Sequence, residues 1–316
     1  MKDAAPRFGP AGISDSFAAQ GYKTSLDIPA YTAGMGLDAF EYQCGHGVRL
    51  AEGKARQMAA LAAEKGIVFS VHAPYYISMS SLDEEKRLGS IRYLLQSAQL
   101  CRALGGRRII FHPGSCGKQS RAAALDKALD TLRRGVEALD EAGYGDMTLC
   151  PETLGKIGQL GDLEEVLALC GVDRRIVPCI DFGHLNARTL GGIRSRADYA
   201  AILDRMEEAL GDDRARTFHV HFSRIEFSAG GEKRHWTFAD TQYGPEPDPL
   251  MELLAERRLA SVVICESAGT QDVDALAMQR AYRQALGEGP ERGKKFPGKA
   301  GQRDKASCKT GQGIVK

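Results

Sequence analysis

The stretch Cys179-Ile180-Asp181-Phe182-Gly183-His184-Leu185-Asn186 decides how the rest of the chain is read. The run from Ile176 to Ile180 is short, apolar and partly β-branched, as expected of a parallel strand buried on both faces. It delivers an Asp and then a His into the turn beyond its end. A carboxylate and an imidazole launched from one strand end suit a divalent cation.

Outward from this stretch the arrangement recurs. Toward the N-terminus, the run Ile67 to Val71 ends in His72, Arg107 to Phe111 runs into His112-Pro113-Gly114, and Met147 to Pro151 ends in Glu152. Toward the C-terminus, Thr217 to Phe222 carries His219 and His221 on one face, and Ala260 to Cys265 ends in Glu266. Arg7 to Gly12 and Ala39 to Cys44 complete the strands. Between them the spacing predicts helical segments near 14–36, 50–65, 82–104, 119–142, 163–170, 197–210, 250–257 and 272–286. Eight alternating units mean a parallel sheet with right-handed crossovers, and eight is the number that closes an α/β (β/α)8 TIM barrel. One domain is expected over 1–286. Residues 287–316, rich in Gly, Lys and Arg, are expected to be a disordered basic tail. A long connection from Ser223 to Pro249 breaks the rhythm and reads as a functional loop.

Bulk properties exclude little. A chain of 316 residues is long enough for a full barrel, and a net charge of +1 gives no global basic field, though a local basic groove remains compatible with it. The eight cysteines form no CxxC pair, which argues against a structural cysteine-zinc site and for buried thiols in a reducing compartment. Neither a signal peptide nor a run of about 18 apolar residues is present, so a cytoplasmic protein without a membrane partner is expected.

Side chains alternate faces along a strand, so His72, Glu152, Asp181 and Glu266 can all point into the barrel at the C-terminal ends of their strands, where this fold gathers catalytic groups. All seven histidines (46, 72, 112, 184, 219, 221 and 235) fall near strand ends or in the loops beyond them. With Glu152, Asp181 and Glu266 they form a mixed nitrogen and oxygen set suited to zinc, manganese or iron rather than calcium. One ion needs about four protein groups, so this many suggests two or three ions and in-line displacement at phosphorus. A sugar isomerase or epimerase with one metal would use the Glu, Asp, His and Glu of strands five to eight and leave His72, His112 and His235 unexplained. A non-catalytic binding protein is the third reading.

The series Val71-His72-Ala73-Pro74-Tyr75, Phe111-His112-Pro113-Gly114, Glu152-Thr153, Cys179-Ile180-Asp181-Phe182-Gly183-His184, His219-Val220-His221 and Cys265-Glu266-Ser267 resembles, in order and spacing, the motifs of endonuclease IV, the family-2 AP endonucleases. The similarity runs from Arg7 to Leu286 and implies the xylose-isomerase-like TIM barrel. It implies hydrolysis of the DNA backbone 5′ to abasic sites by two or three zinc ions, with manganese as the alternative, in a cytoplasmic monomer. By motif position His72, His112 and Glu152 would hold one ion. Glu152 would bridge to a second held by Asp181, His219 and Glu266, and His184 and His235 would serve a third. Glu152 and Glu266 carry the catalytic assignment, with Tyr75 and Arg49 as DNA contacts. His221 is a further metal candidate beside His219. The family's Asp two residues before the loop His is Lys233 here, which leaves Glu232 as the neighbouring acid. Trp236 reads either as a stacking platform or as a packing anchor.

Overall fold

The computed structural model describes residues 5–211 and 213–288. Eight parallel strands form the barrel: β1 (Arg7–Pro10), β2 (Ala39–Gln43), β3 (Val68–His72), β4 (Arg108–Phe111), β5 (Thr148–Pro151), β6 (Cys179–Asp181), β7 (His219–Phe222) and β10 (Val262–Cys265). Pairing is continuous along β2-β3-β4-β5 and along β1-β10-β7-β6. Two thinner seams close the ring. At one, Ala11 bridges Glu41 and Gly12 N–H donates to Glu41 O; at the other, Leu149 bridges Ile176 and Glu152 bridges Cys179.

The helices outside the barrel are α1 (Asp15–Ala19), α2 (Ile28–Gly34), α3 (Glu52–Lys65), α4 (Glu84–Ala103), α5 (Arg121–Glu141), α6 (Leu163–Cys170), α7 (Phe182–Arg188), α8 (Arg196–Leu210), α9 (Asp248–Glu256) and α10 (Gln271–Ala285). Local chemistry sets their ends. The Ala-rich α3 stops at Gly66 in the left-handed conformation, Asp83 and Ser120 cap α4 and α5, and Asp162 with Glu165 makes a capping box on α6. Phe40, Phe69, Val71, Ile109, Phe111, Leu149, Ile180, Val220 and Phe222 are buried in the core against these helices. Among the described residues no helix is long and apolar enough to cross a membrane.

Three expectations are refined. The first helical segment divides into α1, a 3-10 turn at Ser25–Asp27 and α2, because Gly21 takes a positive φ that ends the first piece. The strand expected from Ile176 is continuous only over Cys179–Asp181, with Ile176 bridged singly to Leu149, since Pro178 has no N–H to give the ladder. The connection after β7 is largely a hairpin of β8 (Arg224–Ser228) and β9 (Gly231–Trp236), and α7 is an additional helix straight after β6. Beyond residue 288 the expected basic tail lies outside the described residues.

Candidate metal centre

Glu152, one residue past β5 and 1% exposed, is the hub of the barrel mouth. Its Oε2 lies 3.1 Å from His72 Nε2, at the end of β3, and 3.1 Å from His112 Nε2, just past β4. Its Oε1 lies 3.1 Å from His221 Nδ1 on β7 and 3.3 Å from His184 Nδ1 on α7. Parity along the strands brings these side chains inward, as alternation requires. Four sets of ligating atoms result, each set within 4.8 Å internally: three at the mouth, namely His72, His112 and Glu152; Glu152, Asp181, His221 and Glu266; and His184, Glu232 and His235; and a deeper one of Cys179, His219 and His221.

The structure places His221, not His219, beside Glu152, Asp181 and Glu266. Both face inward, but His219 lies two residues, or about 7 Å, deeper along β7. There its Nε2 meets Glu41 Oε2 at 3.0 Å. Glu41 on β2 is fully buried and also accepts from Ser70 Oγ at 2.8 Å. Sequence reasoning missed it. A lone Glu within a strand reads as an outward residue until barrel closure sets β2 across from β7.

Asp181 shows how the chain builds its ligands. Its Oδ1 caps α7 by accepting from His184 N–H at 2.7 Å, and its Oδ2 is buried without a hydrogen bond, 3.1 Å from His184 Nδ1. An orphaned carboxylate oxygen aimed among imidazoles and carboxylates fits a bound cation. Two imidazoles have their outer nitrogens held by backbone carbonyls: His72 Nδ1 by Ala73 O and His184 Nδ1 by Thr153 O, both at 3.0 Å. Donation from Nδ1–H in each leaves Nε2 as the ligating atom. His235 Nδ1 lies 2.8 Å from Ser223 Oγ.

The hairpin supplies the third set through an irregularity. Residues three apart in a regular strand point to opposite faces, yet Glu232 and His235 converge on His184. A β-bulge explains this, because Arg234 pairs with Glu226 while Glu232 pairs with Phe227, which leaves Lys233 without a partner position. Lys233 turns outward to an ion pair with Glu226, and Glu232 Oε2 comes to 3.5 Å from His184 Nε2. Glu232, not Lys233, therefore occupies the acidic position. The hairpin is fixed by Ile157 N–H donating to Gly230 O and Glu232 N–H donating to Gly155 O, each at 3.1 Å.

Proton affinities follow from this crowding. Burial alone would raise Glu152, but the charges of His221 and His112 and hydrogen bonds from His112 and His184 hold it well below the usual carboxylate range. Burial pushes Glu266 up to about 7, with Glu152 and Asp181 adding repulsion. Burial would lower His184 and His221, yet Asp181, Glu152 and Glu232 around the first, and Cys179 with Glu266, Glu41 and Glu152 around the second, raise both well above an ordinary imidazole. His219, desolvated beyond what Glu41 offsets, falls to about 4. A protein gathering this many acids and imidazoles holds protons that a cation would displace.

Above the cluster opens a cavity of about 560 Å³ lined by Gln43, His46, Arg49, Tyr75, His235 and Glu266, among others. The Tyr75 ring lies 5.7 Å from that of His72 and 5.3 Å from that of His112. Gly45 makes room for it, since a Cβ there would meet the tyrosine ring at 2.7 Å. Trp236 belongs to the hairpin instead: its Nε1–H donates to Glu226 and its ring packs 5.3 Å from that of Tyr243.

A family model described as a xylose isomerase-like TIM barrel matches residues 29–287. An uncharacterized protein of Methanocaldococcus jannaschii is 31% identical over 277 residues, which is 88% of this chain and 97% of that protein. A probable endonuclease 4 of Mycoplasma pneumoniae is 28% identical over 202 residues, and the match spans 61% of this chain and 65% of the relative's length. Among solved structures, endonuclease IV from Thermus thermophilus aligns with a TM-score of 0.65 at 20% identity, covering 90% of this chain and all of that one. A D-tagatose 3-epimerase-like protein aligns with a TM-score of 0.67 at 18% identity, covering 89% and 98%. At such identities the structural likeness speaks for the barrel alone, because one fold hosts many chemistries.

Proposed function

The chain belongs to the xylose isomerase-like TIM-barrel family, and from that premise we propose that it is a metal-dependent phosphodiesterase hydrolysing DNA 5′ to abasic sites. The observation that carries this reading is the triple cluster: three adjoining ligand sets, two of them joined through Glu152, at an open mouth. Isomerisation on one ion would use the set around Asp181 and leave His72, His112, Glu232 and His235 without a task.

Zinc is the proposed ion, two or three per chain, with manganese as the alternative. His72, His112 and Glu152 would hold the first, Glu152, Asp181, His221 and Glu266 the second, and His184, Glu232 and His235 the third. Bound ions supply Lewis acidity and a water-derived nucleophile at neutral pH. The chain's own groups do the rest. Glu152 and Glu266 are the proposed catalytic carboxylates, and Glu152 joins the first two sets while Glu266 lies between His221 and His235, 3.5 and 4.0 Å from their Nδ1 atoms. Arg49 at the cavity rim offers a planar fork for a phosphate, and Tyr75 offers a ring face over the first set.

The test is a duplex oligonucleotide bearing one abasic site, incubated with zinc-loaded protein. Strand scission that chelator abolishes, and that Glu152→Gln lowers by roughly a hundredfold or more, is expected. Intact DNA alongside turnover of a ketose mixture would replace this reading with sugar epimerisation on the same barrel.

A further inference from the structure

Beneath the mouth lies a second layer of polar groups that the proposed chemistry does not use. Glu41, Ser70, Cys179 and His219 are each no more than about 3% exposed, and none lines the cavity. The carboxylate of Glu41 is their centre. Its Oε2 accepts from His219 Nε2 at 3.0 Å and from Ser70 Oγ at 2.8 Å, and its Oε1 accepts from Gln43 Nε2 at 3.3 Å. That same Oε1 stands 2.9 Å from His221 Nε2, a short contact without the alignment of a full hydrogen bond.

We propose that Glu41 is a positioning residue for His221: the charge of its carboxylate, 2.9 Å from Nε2, favours the proton on that nitrogen and so leaves the Nδ1 lone pair for the site shared with Glu152, Asp181 and Glu266. This rests on the reading of the mouth as a metal centre. Across the three ligand sets at the mouth, the imidazoles whose outer nitrogens have hydrogen-bond partners use neutral ones: backbone carbonyls for His72 and His184, a hydroxyl for His235. His184 Nδ1 also lies 3.1 Å from Asp181 Oδ2, an acid of the sets themselves, whereas His221 is backed by a carboxylate that belongs to none of them. An anionic outer partner raises the basicity of the ligating nitrogen as well as fixing its tautomer, and such partners are worth ten- to hundredfold in metal affinity. His219 then has a task of its own. With Ser70 and Gln43 it saturates the remaining acceptor sites of a carboxylate that has no solvent to turn to, which keeps Oε1 aimed at His221.

The experiment is a zinc titration against a competing chromophoric chelator, performed on full-length wild type and Glu41→Gln. The glutamine keeps shape and one acceptor oxygen but removes the charge. One zinc equivalent is expected to bind ten- to hundredfold more weakly in Glu41→Gln, with the other equivalents unchanged. Unchanged affinity in a variant that merely unfolds at lower temperature would overturn the assignment, making Glu41 a structural carboxylate while the metal centre stands. Wild type that binds no zinc would overturn the metal reading and this inference together. Should Glu41→Gln not fold, nitrogen-15 imidazole shifts of the zinc-loaded wild type decide. His221 carrying its proton on Nε2 is expected, and a proton on Nδ1 would sink the proposal.

Discussion

Glu232 reaches His184 and His235 only because β9 carries one residue more than β8 has partners for. The bulge reverses strand parity beyond Lys233, so an acid three residues before the histidine does what an acid two residues before it would do in a regular strand. Two variants separate these neighbours. Glu232→Gln is expected to weaken one zinc equivalent by about tenfold or more, whereas Lys233→Ala should leave metal content and melting temperature nearly unchanged, since its ion pair is screened by solvent. Elemental analysis with thermal melts reads both, and loss of an ion in Lys233→Ala would contradict the bulge account. At this scale much of the site was legible in the sequence. His72, His112, Glu152, Asp181, His184 and Glu266 announce themselves as polar residues ending apolar runs or opening the loops beyond, and His235 stands out only through the family resemblance. The choice between His219 and His221 was not legible, because both share a face and only depth in the barrel separates them. Glu41 was invisible because its partner His219 comes from a strand 178 residues away.

The elements explain why the mouth holds its shape. At the β1–β2 seam, Gly9 lies so close to β2 that a Cβ would stand 1.8 Å from Ala39 O, which is backbone and cannot step aside. Gly9→Ala is therefore expected to destabilise by at least about 3 kcal/mol, read as a lower urea midpoint, and near-neutral behaviour would mean that the seam gives. The loop after β5 is tied differently. Arg121 pairs with Glu165 through Nε at 2.8 Å and Nη2 at 2.6 Å and also donates to Ile157 O and Gln159 O, in the loop on which the hairpin rests. Burial would raise the Glu165 carboxyl, yet Arg121 and the N–H groups of Gly161 and Asp162 lower it below the ordinary value. A carboxylate depressed on folding stabilises above its unfolded pKa of about 4.3, and that contribution is lost as pH falls through the folded value. Glu165→Gln should then cost about 2 kcal/mol at pH 7 and progressively less below about pH 4. Urea midpoints at both pH values give the comparison, and a penalty that persists undiminished in acid would assign the loss to packing. The hairpin and α7 escaped the sequence reading for a physical reason. Both are short, and α7 is a seven-residue helix buried nearly throughout, so it shows no polar face and no period to detect.

For the whole barrel, one of the two thinner seams runs through the ligand sets. Between β5 and β6 the ladder is reduced to the bridges Leu149–Ile176 and Glu152–Cys179, and across that gap Glu152 faces Asp181 and His184. Without a cation, these carboxylates and imidazoles depend on shared protons and on the Glu41 layer below. With cations, the seam gains bonds in place of the ladder it lacks. Each zinc at a hundred times its dissociation constant adds about 2.7 kcal/mol to the folded state, so several occupied sites should raise the melting temperature by roughly ten degrees or more in a chain of this size. Chelation should reverse this, and the change should not be uniform. Amide exchange is expected to quicken most at Thr153, Val177 and His184, whose N–H groups are held across the seam or by Asp181, and least in β3 and β4, whose pairing is continuous. Equal quickening around the whole ring would mean that metal acts on global stability and not on the seam. An unchanged melting temperature in excess zinc would remove the ions from the account of stability altogether.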